Sequence, residues 1–422
     1  MKEIQPIQSP IQAEVTVPGS KSYTHRTFIA AALSNGDCTI LNSLKSEDTE
    51  YTLHTLNQLG IHIEEKENHV FIRGGYGQFS ECNNPIFLGN SGTSMRLLAG
   101  IGALGKGDYT FTGSPRLCER PIQDLLDALN QLGVSAYALH KNGCPPLIVS
   151  GKPLQGGSIT LNCTKSSQYL SAMLLIAPCT QNGLEIQVQP GLVSKPYVDM
   201  TLDIMRCFGI QYERDRYDRF FVPGKQTYQA GTYTVEPDCS QAGYFWAAAA
   251  VTGGKVKVLG VTKNSKQGDV RLVEVFEKMG CNITHSSDGI TVEGGQLKSI
   301  RVDMSDMPDM VPTLAVVSAF AKGTTTIENV AHLTVKESNR LDSVATELRK
   351  MGIHADATAD AIQIEGGTPK GNVDIETYND HRMAMCFAVA GLKVPHIRIQ
   401  NPKCVQKSFP NFFEVFEGMY RS

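Results

Sequence analysis

At 422 residues the chain is longer than one hydrophobic core usually serves, so about two domains are expected. Hydrophobic residues at 41% and charged residues at 19% describe an ordinary globular protein rather than a disordered or fibrous one. A net charge of -3 excludes a broad basic face for nucleic acid or anionic membrane, so any cationic cluster has to be local. Eleven cysteines stand singly, with no Cys-x-x-Cys pair, and Met1–Pro10 carries no apolar signal region. No apolar run reaches the roughly 18 residues of a membrane span. A cytoplasmic chain with free thiols is expected. Cys118, close to Arg116 and Glu119, reads as a reactive thiol or as a small buried filler, and the filler is the expectation.

The first informative stretch follows the strand-like Glu14-Val15-Thr16-Val17, which Pro18-Gly19 breaks. Ser20 or Ser22 can cap the helix announced by the apolar run Phe28–Leu33. Free amides and the helix dipole at such a start favour a phosphate or carboxylate, which Lys21, Ser22 and Arg26 would then face. A capped surface helix with solvated charges reads the same residues equally well.

The device recurs. Helices ending in an apolar residue, glycine and a further apolar or small residue place Gly60, Gly133, Gly209, Gly280 and Gly352 at spacings of 73, 76, 71 and 72, a period of about seventy residues. Before the glycines the apolar spacing is helical, as in Ile122, Leu125, Leu129 and Leu132, and each glycine suits a left-handed helix end. After them comes strand alternation, most clearly Cys281–Thr284, a turn at Asp288-Gly289, and Ile290–Val292. Six further segments are nearly all apolar and predict buried helices: His25–Gly36, Thr93–Gly107, Ser167–Pro178, Ser240–Gly254, Met310–Gly323 and His381–Leu392. A shortened closing helix is expected over Phe412–Met419, and Trp246 is expected in the core. Three units in each half suggest two pseudo-symmetric domains, with the turn-rich Phe221–Gly231 as the crossing point.

At the start of each buried helix stands a polar cluster: Lys21-Ser22, Asn90–Thr93, Ser166–Gln168, Asp238–Ser240, Asp306–Asp309 and Asn379–Arg382. Caps are required there, but lysine, glutamine, arginine and histidine are not. The cations near these starts and loops are Lys21, Arg26, Arg96, Arg120, Lys195, Lys336, Arg340, Arg382 and Lys407, and gathering even half of them calls for a polyanionic ligand. Asp309 and Glu337 could exchange protons beside them, while Glu337 next to Lys336 and near Arg340 equally reads as an ion pair. His381 is a candidate acid or base, or a structural histidine. There is no GxxxxGK[ST] loop, no zinc spacing, no clustered carboxylates for two metals and no GxSxG.

The motifs Ser20–Arg26, Leu88–Arg96, Ser114–Ile122, Ser166–Leu175, Ser194–Leu202, Asp306–Ala315, Val335–Gly352, Tyr378–Met385 and Lys407–Phe413 resemble, in order and over the whole chain, the 3-phosphoshikimate 1-carboxyvinyltransferases, or EPSP synthases. The resemblance implies transfer of the enolpyruvyl group of phosphoenolpyruvate to the 5-hydroxyl of shikimate 3-phosphate, with phosphate released, on the route to aromatic amino acids. It implies an α/β fold of two pseudo-symmetric domains, each of three βαβαββ repeats whose buried helices point their N-termini at the interdomain cleft. Residues 1–17 and 235–422 would form one domain and residues 18–234 the other. Lys21, Ser22, Arg26, Ser166, Ser167, Gln168, Ser194, Tyr197, Asp309 and Lys336 match positions that hold shikimate 3-phosphate. Lys21, Asn90, Gly92, Arg120, Gln168, Arg340, Arg382 and Lys407 match those that hold phosphoenolpyruvate. Asp309, Glu337 and Lys21 are the expected proton carriers. His332 stands where several members have Asn, and Leu97 where some have Pro. No metal or cofactor is expected, and a monomer is. With Gly92 retained, inhibition by glyphosate is implied, and a methyl group at 92 would enter the donor pocket. The alternatives are a UDP-N-acetylglucosamine enolpyruvyl transferase, whose Lys-Asn pair is Lys21-Ser22 here, and a non-catalytic clamp of the same fold.

Overall fold

A computed structural model describes residues 1–421 and divides the chain into two compact units, Gly19–Val235 and Met1–Pro18 with Glu236 onward. The first unit contains α1 (Lys21–Leu33), α2 (Glu47–Gln58), α3 (Gly92–Leu104), α4 (Gln123–Gln131), α5 (Gln168–Ile176) and α6 (Pro196–Cys207). The second contains α7 (Cys239–Thr252), α8 (Leu272–Lys278), α9 (Val311–Ser318), α10 (Arg340–Lys350), α11 (His381–Gly391) and α12 (Phe412–Arg421).

The odd-numbered helices α1 to α11 are the six apolar segments, and they are buried on every side. A helix without a polar face has to be surrounded, so these pack on one another, α3 on α5 and α7 and α9 on α11. Helices α2 to α10 of even number bury one face only, as α4 does with Leu125, Leu126, Ala128 and Leu129. These five end at the repeating glycines, whose φ angles are 89° at Gly60, 74° at Gly133, 82° at Gly209, 110° at Gly280 and 73° at Gly352. That left-handed backbone is open to glycine at little cost and closes each helix before its hairpin.

Each repeat folds around one small sheet. In the second, Ile86–Phe87 lies parallel to Gly107–Thr112 across α3, and Ser135–Ala138 with Leu147–Gly151 adds the antiparallel hairpin. The fourth behaves as expected from Cys281–Val292, with Asn282–Ser286 antiparallel to Gly289–Glu293. Among the described residues five sheets have four strands, and the sixth has three, with Lys2–Ile4 on its outer edge.

The strand ahead of α1 does not join the sheet of α1. Gln12–Val15 pairs parallel with Lys255–Leu259 in the second unit, and Thr232–Thr234, ahead of α7, pairs parallel with Asp37–Leu41 in the first. Each passage between units therefore hands its strand to the unit being left. The turn-rich 221–231 stretch is accordingly no crossing: Arg219–Val222 is a hairpin strand, Tyr228 is buried, and the chain passes over only after Val235.

Trp246 is fully buried and donates from Nε1 to the Ile290 carbonyl at 3.2 Å. Phe412 and Phe416 of α12 pack against Phe245, ring centres 6.3 Å apart. Cys118 is only half-buried, less than a filler requires. No helix among the described residues is long and apolar enough to cross a membrane.

Candidate active site

In the first unit the polar clusters stand at the starts of α1, α3 and α5. Ser20 caps α1 by accepting from the Tyr23 amide at 3.4 Å, which leaves Lys21 as the first helical residue. Lys21 Nζ lies 3.2 Å from Oδ2 of Asp48, a buried carboxylate in the first turn of α2. Ser22 is half-buried, and its carbonyl accepts from Arg26 Nη1 at 2.8 Å.

Arg26 is 1% exposed. Its Nε donates to Thr201 Oγ1 at 2.7 Å, and its Nη2 donates to Ser171 Oγ at 3.2 Å and to the Tyr197 carbonyl at 3.1 Å. A guanidinium has five N–H groups, so these bonds and the one to Ser22 leave Arg26 one for a ligand. Arg26 thus ties α1 to α5 and α6 while keeping one donor for a ligand. Burial pulls its pKa down to about 10, which still leaves it charged near neutral pH.

Ser91 caps α3 and accepts from the Ser94 amide at 3.3 Å, so Gly92 opens that helix. Arg120 reaches the same turn, its Nη1 donating to the Asn90 carbonyl at 3.2 Å. At the start of α5 Ser166 Oγ accepts from the Gln168 amide at 3.2 Å, beside the buried Ser167. The Gln168 side chain accepts from Arg96 Nη1 at 2.8 Å and donates to Thr93 at 2.9 Å, joining α3 to α5. Ser194, buried, holds a φ of 54° just before α6. Lys195 lies with Nζ 5.6 Å from the centre of the Tyr217 ring.

In the second unit Arg340, 1% exposed and the first residue of α10, is ringed by carboxylates. It meets Asp309 Oδ1 at 2.8 Å, Glu337 Oε2 at 2.7 Å and Asp380 Oδ2 at 2.8 Å. The other Asp309 oxygen takes Arg382 Nη2 at 2.6 Å, and Arg382 Nη1 donates to Tyr244 at 3.3 Å. Asp380 caps α11 by accepting from the Arg382 amide at 3.0 Å. Lys407 Nζ stands 4.0 Å from Glu337 Oε1. Burial works to raise the Asp309 pKa, but Arg382, Arg340 and Lys336 outweigh it and hold the carboxyl well below its ordinary range. Arg340 is likewise raised against its own burial by Asp380, Glu337 and Asp309. His332 is driven down to about 3, first by burial and then by Lys336. His381 is fully buried with Nδ1 3.5 Å from Asp380 Oδ1, the position of a structural residue.

Each unit therefore collects its own share of the expected residues, Lys21, Asn90, Gly92, Arg120 and Gln168 in one, Asp309, Glu337, Arg340, Arg382 and Lys407 in the other. Asp48 and Asp380 do not stand out in the sequence as ion partners, because an acid in a helix first turn or at a cap has a sufficient local explanation. A cavity of about 740 Å³ lined by Glu47, Tyr51, His54 and Phe87 is acidic and shares none of these cations. Among the described residues no group of three His, Cys, Asp or Glu is arranged for a metal ion.

The family model described as EPSP synthase (3-phosphoshikimate 1-carboxyvinyltransferase) matches residues 5–416. A 3-phosphoshikimate 1-carboxyvinyltransferase of Syntrophobacter fumaroxidans is 44% identical, over 99% of each chain. One from a Sulfurovum species is 42% identical, over 97% of each. The solved EPSP synthase of Acinetobacter baumannii superposes with a TM-score of 0.82 at 29% identity, covering 99% of this chain and 98% of that one. The enolpyruvyl transferase NikO of Streptomyces tendae, at 18% identity and a TM-score of 0.78 over 99% and 96% of the two chains, shares the fold. With sequence and fold both matched from end to end, the chain belongs to the EPSP synthase family, the 3-phosphoshikimate 1-carboxyvinyltransferases.

Proposed function

We infer that the chain transfers the enolpyruvyl group of phosphoenolpyruvate to the 5-hydroxyl of shikimate 3-phosphate and releases phosphate. Full-length family membership supports the reaction, and one observation carries the site: Asp309 bridges Arg340 and Arg382 while Glu337 sits on the same Arg340. Proton carriers thus stand among cations, as transfer between two polyanions needs.

In this reading Lys21, Ser22, Arg26, Ser166, Ser167, Gln168, Ser194, Tyr197, Asp309 and Lys336 hold shikimate 3-phosphate. Lys21, Asn90, Gly92, Arg120, Gln168, Arg340, Arg382 and Lys407 hold phosphoenolpyruvate. A proton from Glu337 or Lys21 adds to the methylene carbon, and the 5-hydroxyl oxygen bonds to the adjacent carbon as Asp309 accepts its proton. The tetrahedral intermediate then returns a methyl proton to Glu337 or Lys21, its carbon–oxygen bond to phosphate breaks, and the arginines neutralise the leaving phosphate. Clamped by two guanidinia, Asp309 is a weak base. An anionic donor that draws Arg340 and Arg382 toward itself would relax the clamp and raise the affinity of Asp309 for a proton.

Side chains and helix termini supply the charge neutralisation, so activity is expected to survive a chelator. The reading includes a cytoplasmic monomer acting on small molecules, without nucleic acid or membrane. Lys21-Ser22 in place of Lys-Asn, together with the relatives found, argues against the UDP-N-acetylglucosamine acceptor. Phosphate release from phosphoenolpyruvate, measured with each acceptor in turn, tests the assignment: release with the UDP-sugar alone, or with neither acceptor, rejects it.

A further inference from the structure

Four buried side chains of the first unit form one hydrogen-bond network that the reaction described does not use. His25 on α1, Thr52 on α2, and Ser91 and Ser94 at the start of α3 are each 0% exposed. His25 Nδ1 lies 2.7 Å from Thr52 Oγ1, which lies 2.9 Å from Ser94 Oγ. Ser94 Oγ in turn lies 2.7 Å from Ser91 Oγ and 3.1 Å from the Asp48 carbonyl oxygen. The three helices that carry these residues pack on one another.

Counting protons fixes the sense of the network. A carbonyl only accepts, so the single hydroxyl hydrogen of Ser94 goes to Asp48. Ser94 Oγ then accepts from both Thr52 and Ser91, which fills its two lone pairs, while Ser91 Oγ itself accepts from the Ser94 amide at 3.3 Å. With its hydrogen given to Ser94, Thr52 accepts from His25, so Nδ1 of His25 carries a proton. Ser94 is thus the point where the three helices meet. It reaches α1 through Thr52 and α2 directly at Asp48, whose carboxylate holds Lys21 Nζ at 3.2 Å.

We propose that Ser94 is a positioning residue for the turn Asn90–Gly92: the end of a one-way hydrogen-bond network, begun at His25 Nδ1, that fixes the start of α3 against α2. The turn has little clearance, which is why an anchor matters. The Asn90 carbonyl accepts from Arg120 Nη1 at 3.2 Å, and the guanidinium lies so near Gly92 that a Cβ there would stand 2.7 Å from it. Without the Ser94 hydroxyl, Thr52 and Ser91 each keep a buried O–H that has lost its acceptor, and the start of α3 shifts to satisfy them. The assignment of this turn to phosphoenolpyruvate rests on the function proposed above.

Thr52 is the position to vary, since it is assigned to neither substrate. Thr52→Val keeps the shape and removes the hydroxyl, whereas Thr52→Ser keeps the hydroxyl. KM for phosphoenolpyruvate should rise by about tenfold in Thr52→Val and in Ser94→Ala, because a misplacement of about 1 Å costs up to about a hundredfold. The KM for shikimate 3-phosphate, which has no assigned residue in the first turn of α3, should rise by less than about twofold, and Thr52→Ser should restore both values. In nitrogen-15 resonance spectra of the full-length protein, His25 Nδ1 should be protonated in the wild type and lose proton occupancy in Ser94→Ala, where Thr52 can turn to donate to it. The Gly92 amide resonance should move in Thr52→Val and return in Thr52→Ser. A merely structural role would lower stability without separating the two KM values. An unprotonated Nδ1 in the wild type, a Gly92 resonance unmoved in Thr52→Val, or a KM for phosphoenolpyruvate that stays level or rises only in step with the other would each overturn the proposal. Should Ser94→Ala fail to fold, the two Thr52 variants decide. Absence of turnover in the wild type would reject the transfer reaction instead, and the His25 and Gly92 resonances would still decide whether the network fixes the turn.

Discussion

Arg120 fills the space into which a side chain at position 92 would grow: a Cβ on Gly92 would stand 2.7 Å from Arg120 Cζ and Nη2. The methyl of Gly92→Ala therefore first meets the guanidinium of Arg120, a residue of the proposed donor site. Arg120 is the movable partner, being the far end of a side chain held at the Asn90 carbonyl. Displacing it should raise KM for phosphoenolpyruvate by about tenfold, roughly 1.4 kcal/mol. The inhibition constant for glyphosate, a longer ligand, should rise by a larger factor. Unchanged KM alongside a lost inhibitor would mean that Arg120 had not moved.

Lys21 is not the solvated lysine of a capped surface helix, since it pairs with buried Asp48 at 3.2 Å. Lys21→Met should remove activity and also lower stability by about 1–3 kcal/mol, because Asp48 loses a charged partner. Urea unfolding followed by circular dichroism, beside turnover of the same sample, separates the two effects. A variant as stable as the wild type would remove the structural share of this pair.

Asp309→Asn retains the shape of the side chain but not its charge or proton affinity. We expect kcat to fall by about 10²–10⁴-fold. Because the Asp309 pKa is depressed in the fold, its stabilising contribution is present above the unfolded value of 3.8 and is lost as pH falls toward the folded one. The melting temperature of Asp309→Asn should consequently fall less between pH 4 and pH 2.5 than that of the wild type. Parallel curves in differential scanning calorimetry would contradict the two-arginine clamp.

His332 acts on acid stability in the same direction, but over a higher pH range. With its pKa at about 3 in the fold against 6.5 in the unfolded chain, the unfolded state binds the extra proton, so stability is lost as pH falls below 6.5. At pH 5 that loss is on the order of 2 kcal/mol. His332→Asn lacks it, and should gain by about that amount relative to the wild type on going from pH 7.5 to pH 5. The imidazole resonances of His332 should not titrate between pH 5 and pH 8 in nuclear magnetic resonance spectra.

What the sequence by itself determined was local. The six apolar helices, the glycines that end their amphipathic partners and the polar residues at the buried N-termini follow from periodicity, from backbone that only glycine adopts readily, and from the need to cap. Each of these is settled within about one helical turn of the residue concerned. The tertiary structure decided which sheet each crossing strand joins. Gln12–Val15 and Thr232–Thr234 are equally strand-like wherever they pair, and only the parallel neighbours Lys255–Leu259 and Asp37–Leu41 fix their places. It also decided how much of each cation is left for a ligand. Arg26 gives most of its donors to Ser22, Ser171, Thr201 and Tyr197, while Arg340 is held by Asp309, Glu337 and Asp380. Charge and hydrogen bonding act through space, between residues far apart in the chain, so the same arginine reads alike in sequence whether it serves a phosphate or the fold.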